Sequence, residues 1–214
     1  MSAAFLSRKT SNEFGKRSSD AAAFQLFAVK GFFDQHSNFG GIREMTRTVA
    51  REISIQIGFS LADNPEDVRE VLERFFDKDY FTTLAVENEL FAEYPGKKQL
   101  DYIRTVVEGT SDRRDELDSY IEKYAKGWKL TRISRIALTI LRTALFEVLY
   151  MDDVPDSVAI NEAVELSKGY EEQETVSFIN GILGSFMRTE RGTELLPERE
   201  PDAENSDAFF SAEE

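Results

Sequence analysis

The chain has 214 residues, enough to bury one good-sized core or two small ones, and 41% of them are hydrophobic, as in a globular protein. It has no cysteine and a single histidine, which excludes disulfides, thiolate metal sites and a cysteine nucleophile, and suits a reducing cytoplasm. A net charge of −14 argues against broad, non-specific binding to phosphate.

The first stretch, residues 1–41, reads as a poorly structured leader. Residues 1–44 carry six basic and four acidic side chains, unlike the acidic remainder. No apolar core followed by a small-residue cleavage site opens the chain, which argues against secretion. Asp20 is placed to cap a short helix through Phe33, because Phe24, Phe27 and Ala28 share a face. Ser37-Asn38-Phe39-Gly40-Gly41 then breaks the chain.

A helical domain over 42–188 follows. Its first helix is expected from about Ile42 to Leu61, with Val49, Ile53, Gln56 and Ile57 on one side. Asn64-Pro65-Glu66-Asp67 has the form of a helix start, with Asn64 as cap, Pro65 at the first position and acids in the first turn. That next helix buries Val68, Val71, Leu72 and Phe75. Phe81 to Phe91 is expected to be helical and to end at Tyr94-Pro95-Gly96; another helix covers about Gln99 to Glu108. Leu117, Ile121 and Tyr124 form the face of one that stops near Gly127.

Ile133 to Tyr150 is the stretch around which the rest is organised. Ile133, Ile136, Ala137, Ile140, Leu141, Ala144, Leu145 and Val148 keep three-and-four spacing for more than four turns. Leu138, Phe146 and Leu149 widen the apolar surface, so this helix needs neighbours on several sides and is expected to be a central rod. Its three charges and two threonines, without a flanking basic anchor, argue against a membrane span. After a break at Asp152-Asp153-Val154, Pro155 restarts a helix to about Lys168, and a last one covers Glu174 to Met187. Residues 189–214 read as an acidic, disordered tail; residues 191–214 hold two basic and eight acidic side chains, leaving −10 on the body. No run alternates long enough for a strand. The expectation is an all-α fold of about seven helices in bundles with flexible ends.

The chemistry legible in this pattern is sparse. The one histidine, His36, lies in the leader, so the domain has no histidine base. Neither GxxxxGK[ST] nor GxGxxG occurs. Glu171-Glu172-Gln173-Glu174 lacks calcium-loop spacing and reads as a loop and helix start favoured by the helix dipole. No cofactor, metal or catalysis is expected. Arg43, Arg47 and Arg51 recur every four residues and form a basic stripe that could follow a phosphate backbone; the competing reading is a solvated face of Arg–Glu pairs. Phe59, Tyr170 and Phe178 are each either core residues or platforms for bases.

Tyr102 to Phe186 resembles the NusB family of bacterial transcription antitermination factors. The resemblance is carried by VVEGTSDRRDELDSYI, by W-x-L-x-R at Trp128 to Arg132, by TILRTALFEVL, and above all by DVPDSVAINEAVELSK followed by FINGIL. AREISIQIGF, Ala50 to Phe59, is similar to the family's opening helix. The likeness spans about residues 45–188 and leaves both ends outside.

The resemblance implies two small helical bundles packed side by side and a cytoplasmic, non-enzymatic RNA-binding protein that acts in ribosomal RNA transcription. Its partners would be boxA-type single-stranded RNA, the small-subunit ribosomal protein also called NusE, and the RNA polymerase antitermination complex, with no membrane. By position, the RNA surface would comprise Arg47, Arg51, Phe59, Tyr170, Glu174 and Phe178. Two departures from the family stand out: Thr48-Val49 interrupts the usual run of arginines, and Ala137-Leu138 replaces an acidic-basic pair. Fewer cations on an acidic body imply weaker RNA binding and greater dependence on the partner. Asn161 and Asn180 read as amides paired inside the bundle, and Gly181 as a point of close helix approach. The rival readings are a protein-binding helical scaffold with a degenerate RNA site, and the RNA-binding appendage of a ribosomal RNA methyltransferase, which is disfavoured because no catalytic domain follows residue 188.

Overall fold

The computed structural model describes residues 45–61 and 67–192. The short helix expected over 20–33, the start of the first helix at 42–44 with Arg43, the proposed cap Asn64-Pro65, and the acidic residues from 193 onward lie outside them. The described residues form eight α-helices and no strand: α1 Arg47–Leu61, α2 Val68–Phe75, α3 Lys78–Glu87, α4 Lys97–Asp112, α5 Arg114–Tyr124, α6 Arg135–Tyr150, α7 Asp156–Tyr170 and α8 Gln173–Phe186. Short 3₁₀ turns at Glu89–Phe91 and Leu130–Arg132, and a π-turn at Met187–Arg191, complete the trace.

Local chemistry sets several of the boundaries. The Asp67 carboxylate accepts from the Arg69 N–H and starts α2, so the cap is three residues later than the Asn64 expected from the Pro-containing pattern. Asp77 accepts from the Tyr80 N–H and starts α3 at Lys78, earlier than the expected Phe81. Asn88 ends α3 with an extended backbone, and its side chain accepts from the Leu90 N–H, which turns the remainder into a 3₁₀ turn. Ser134 caps α6 by accepting from the Ala137 N–H at 3.1 Å.

α1 to α4 make one bundle, in which α4 lies against α1 and α2. Phe75, Phe76, Phe81 and Phe91 interlock in its core with centroids 5.0 to 6.0 Å apart. Most of these ring pairs are edge-to-face, the arrangement favoured by aromatic quadrupoles. α5 to α8 make the second bundle around α6, which packs on α5, α7 and α8 and also on α1 and α4 of the first bundle. Every residue of α6 from Thr139 to Val148 is buried, as a helix apolar around most of its circumference requires. Each such Leu or Ile contributes roughly 1.5–3 kcal/mol by leaving water.

Two side-chain expectations need correction. Asn161 is exposed on α7, because the buried face of that helix is filled by Ala159, Ile160, Ala163 and Leu166; Asn180 is half-buried and does have a partner. A Cβ at Gly181 would meet nothing within 4 Å, so it is not a close-approach point. That role falls to Gly109, where a Cβ would lie 2.1 Å from the Phe146 ring. The body also runs past residue 188: Glu190 accepts from Lys123 and Tyr124 on α5, and Arg191 donates to the Val148 carbonyl and to Asp156. No helix among the described residues is long and apolar enough to cross a membrane.

Candidate nucleic-acid interface

α1 lies between the two bundles, and its polar face is read out by α7. The Thr48 hydroxyl donates to Glu162 at 2.8 Å, and the Gln56 amide donates to the Tyr170 hydroxyl at 3.3 Å. Both pairs are 114 residues apart, so the two helices run parallel in a fixed register. The Tyr170 hydroxyl also donates to Glu52, a buried carboxylate. Burial pushes the Glu52 carboxyl above its ordinary value, and the Tyr170 hydrogen bond only partly opposes it. Tyr170 thus keeps its hydroxyl tied down between Glu52 and Gln56, with its ring half-buried at the end of α7.

The two arginines of the expected stripe face carboxylates. Arg51 is 1% exposed; its guanidinium donates twice to Glu147 at 2.8 Å and once to Glu162 at 2.9 Å. Arg51 and Arg47 are nevertheless one turn apart, and both lie over the Tyr102 ring, at 6.0 and 4.4 Å. Arg47 is half-buried and pairs with Asp153 at 3.0 Å, while its Nη1 has no hydrogen-bond partner among the described residues. Twelve residues of helix, roughly 18 Å of rise, separate Arg47 from Phe59. The structure therefore does not bring Arg47 and Arg51 up to the expected rings.

The rings gather instead at the opposite end of α1. Phe59 is half-buried there, and the Arg135 guanidinium from the first turn of α6 lies 4.0 Å above its ring. Ser134, beside Arg135, donates to Glu171, which joins the start of α6 to the loop between α7 and α8. Tyr170 precedes that loop, and the exposed Glu174 opens α8 just after it. Phe178, one turn farther along α8, sits 5.4 Å from Trp128, tilted at 48°. Trp128 is 54% exposed, unusual for so large an apolar surface. Phe59, Tyr170, Glu174 and Phe178 thus share one end of the molecule.

The cations at this end come from a segment absent from the expected site. Lys123 to Phe146 contains six basic residues and no acid, and no stretch of the chain is longer without one. Of these, Arg142 is held by Asp118 at 2.7 Å and Lys123 by Glu190 at 2.5 Å. Lys126, Lys129 and Arg132 are exposed, and none of the ion pairs found among the described residues uses them. They flank Trp128 in the connector that leads to Arg135. The legible signal was the absence of acid over this run, which periodicity of the apolar residues does not register. No group of acids and histidine among the described residues could hold a metal ion.

A family model described as the NusB family matches residues 48–188. A transcription antitermination protein NusB from Acetivibrio thermocellus is 40% identical over 144 residues, 67% of this chain and 90% of its own length. One of the same name from Clostridium novyi is 35% identical over 144 residues, 67% of this chain and 99% of its own. Among solved structures, NusB of T. maritima superposes with a TM-score of 0.57 at 26% identity, over 69% of this chain and 94% of that one.

Proposed function

Because this chain belongs to the NusB family of transcription antitermination proteins, we propose that it works without catalysis, by holding boxA-type single-stranded RNA together with the small-subunit ribosomal protein NusE within the RNA polymerase antitermination complex. The observation that carries the reading is the coincidence, at one end of an acidic body, of an exposed Trp128 and half-buried rings with an acid-free basic segment. Trp128 and Phe178 offer faces on which unpaired bases can stack, and Phe59 backed by Arg135 offers a third. Lys126, Lys129, Arg132 and Arg135 supply cations for the phosphates. Glu174 is exposed at the edge of the same surface, placed to accept from base amino groups. Arg47 extends the path to the far end of α1, and Arg51 acts by locking α1 in place.

The test is a titration of boxA-type RNA with and without the ribosomal protein, across salt concentrations. Tighter, salt-dependent binding in the presence of the protein is expected. The pairing of Arg47 and Arg51 with acids favours the rival reading of a protein-binding scaffold. Binding of the ribosomal protein with no RNA response at any salt concentration would select that rival.

A further inference from the structure

The two arginines of α1 are held by acids in different ways. The side chains of Arg51 and Glu147 are 2% and 0% exposed and share two hydrogen bonds. Those of Arg47 and Asp153 are 27% and 62% exposed and share one, of 3.0 Å. Asp153 owes its place to a tight turn between α6 and α7, in which the Val154 N–H donates to the Met151 carbonyl, Val154 is buried and Pro155 follows. The turn sets the carboxylate beside the first residue of α1, 106 residues away in sequence. Arg47 and Arg51 are the only basic residues of α1, and with Arg51 locked, Arg47 is the cation that this helix can bring to a phosphate. Its guanidinium lies 4.4 Å from the centre of the Tyr102 ring. Of its two terminal nitrogens, Nη1 is buried without a hydrogen-bond partner among the described residues and Nη2 is bonded to Asp153. A phosphate oxygen approaching that edge therefore meets a carboxylate already in place. The seat is a poor one, since an exposed ion pair is weak and a buried donor without an acceptor is costly. A phosphate, with oxygens for both nitrogens, can draw the guanidinium out of it.

We propose that Asp153 is a built-in competitor for phosphate at Arg47: it holds the guanidinium on the turn between α6 and α7, and a phosphodiester that reaches α1 takes its place. The pairing of Arg47 is then a closed state of the site, and the exchange sets how much α1 adds to binding. That consequence rests on the RNA reading. The hold of Asp153 on Arg47 does not.

Phenylglyoxal, which modifies accessible guanidinium groups, reads Arg47 without any RNA when the modified peptide is quantified by mass spectrometry. In the natural chain, modification of Arg47 is expected to rise roughly two- to fivefold from low to high salt, as screening breaks an exposed ion pair. A full-length Asp153→Asn variant keeps the turn, since Asn suits the same backbone. It is expected to show the higher value at every salt concentration. The same variant is expected to bind boxA-type RNA roughly two- to fivefold more tightly at low salt, and to lose that gain when combined with Arg47→Gln. Equal, salt-independent modification of Arg47 in the two proteins overturns the proposal. So does an RNA gain that survives Arg47→Gln, because it then comes from the lower net charge alone. Weaker or unchanged RNA binding by Asp153→Asn also overturns it, because the carboxylate then does not compete with phosphate. If modification changes as expected while no variant binds RNA, the hold on Arg47 stands and the RNA reading falls.

Discussion

The guanidinium of Arg51 and the carboxylate of Glu147 meet through two hydrogen bonds of 2.8 Å, joining α1 to the central helix α6 where both side chains are out of water. The Tyr102 hydroxyl adds a third donor to Glu147 at 2.8 Å and brings in α4, while Glu162 of α7 takes the remaining side of Arg51. Four helices from both bundles thus converge on one pair of charges. Two ions withdrawn from water add little net stability as a pair, but either one alone is costly. Glu147→Ala is therefore expected to destabilise the fold by about 3–5 kcal/mol, and Arg51→Met with Glu147→Leu by clearly less, because no charge is then stranded. Urea unfolding of the single and double variants measures both. Equal losses would mean that the pair acts through packing alone.

The glycines allow a second, paired prediction. A methyl group at Gly109 would lie inside the Phe146 ring, within the packed junction of α4 and α6. Gly109→Ala is expected to cost about 1–3 kcal/mol by overpacking. Gly181 is exposed in the middle of α8 with nothing near its missing Cβ. Gly181→Ala is expected to stabilise by about 0.5–1 kcal/mol, through lower backbone entropy in the unfolded chain. Thermal melts of the two variants, shifted in opposite directions, would confirm the assignment.

These results show which parts of the molecule could be read from its residues. Apolar spacing identified α6 as the central helix because packing on several sides leaves a signature in the order of Ile, Leu and Ala residues themselves. Asn64-Pro65 misplaced a helix start because a second capping residue, Asp67, stood three positions later; several adjacent caps cannot be ranked without knowing where the helix packs. Arg47 and Arg51 formed a stripe in sequence, but their carboxylates come from Asp153, Glu147 and Glu162, about a hundred residues away. Spacing on one helix is blind to such partners. Phe59, Tyr170 and Phe178 are grouped by the family's order of motifs and not by spacing along any one helix, since they come from three different helices or their ends. Trp128 and the basic connector stand outside the expected surface because neither belongs to a periodic face.

Ring and cation contributions to RNA binding separate by their dependence on salt. Trp128→Ala removes a stacking face and is expected to weaken binding of single-stranded RNA by about 1–3 kcal/mol, with the slope against salt unchanged. Arg135→Gln removes one cation and is expected to flatten that slope by about 0.7 as well as weaken binding. Anisotropy titrations at several salt concentrations give both numbers. A Trp128→Ala variant that binds as the natural protein does would place the RNA elsewhere.

The Glu52–Tyr170 pair gives the fold a pH dependence of defined sign. Glu52 sits on α1 with the Tyr170 hydroxyl as hydrogen-bond donor, and burial raises its affinity for a proton in the folded state. A carboxyl that holds its proton more tightly when folded contributes stability below its unfolded value, near the ordinary 4.5, and loses that contribution as pH rises toward its folded value. Glu52→Gln keeps an acceptor for the Tyr170 hydroxyl and removes the titration. The variant is therefore expected to lose less stability than the natural protein as pH is raised from about 4.5 toward neutrality. Urea unfolding of both proteins at closely spaced pH values isolates the difference, since every other titrating group is common to the two. Parallel profiles would show that Glu52 ionises with the same affinity in the folded and unfolded chains, and that burial at the α1–α7 contact leaves it hydrated.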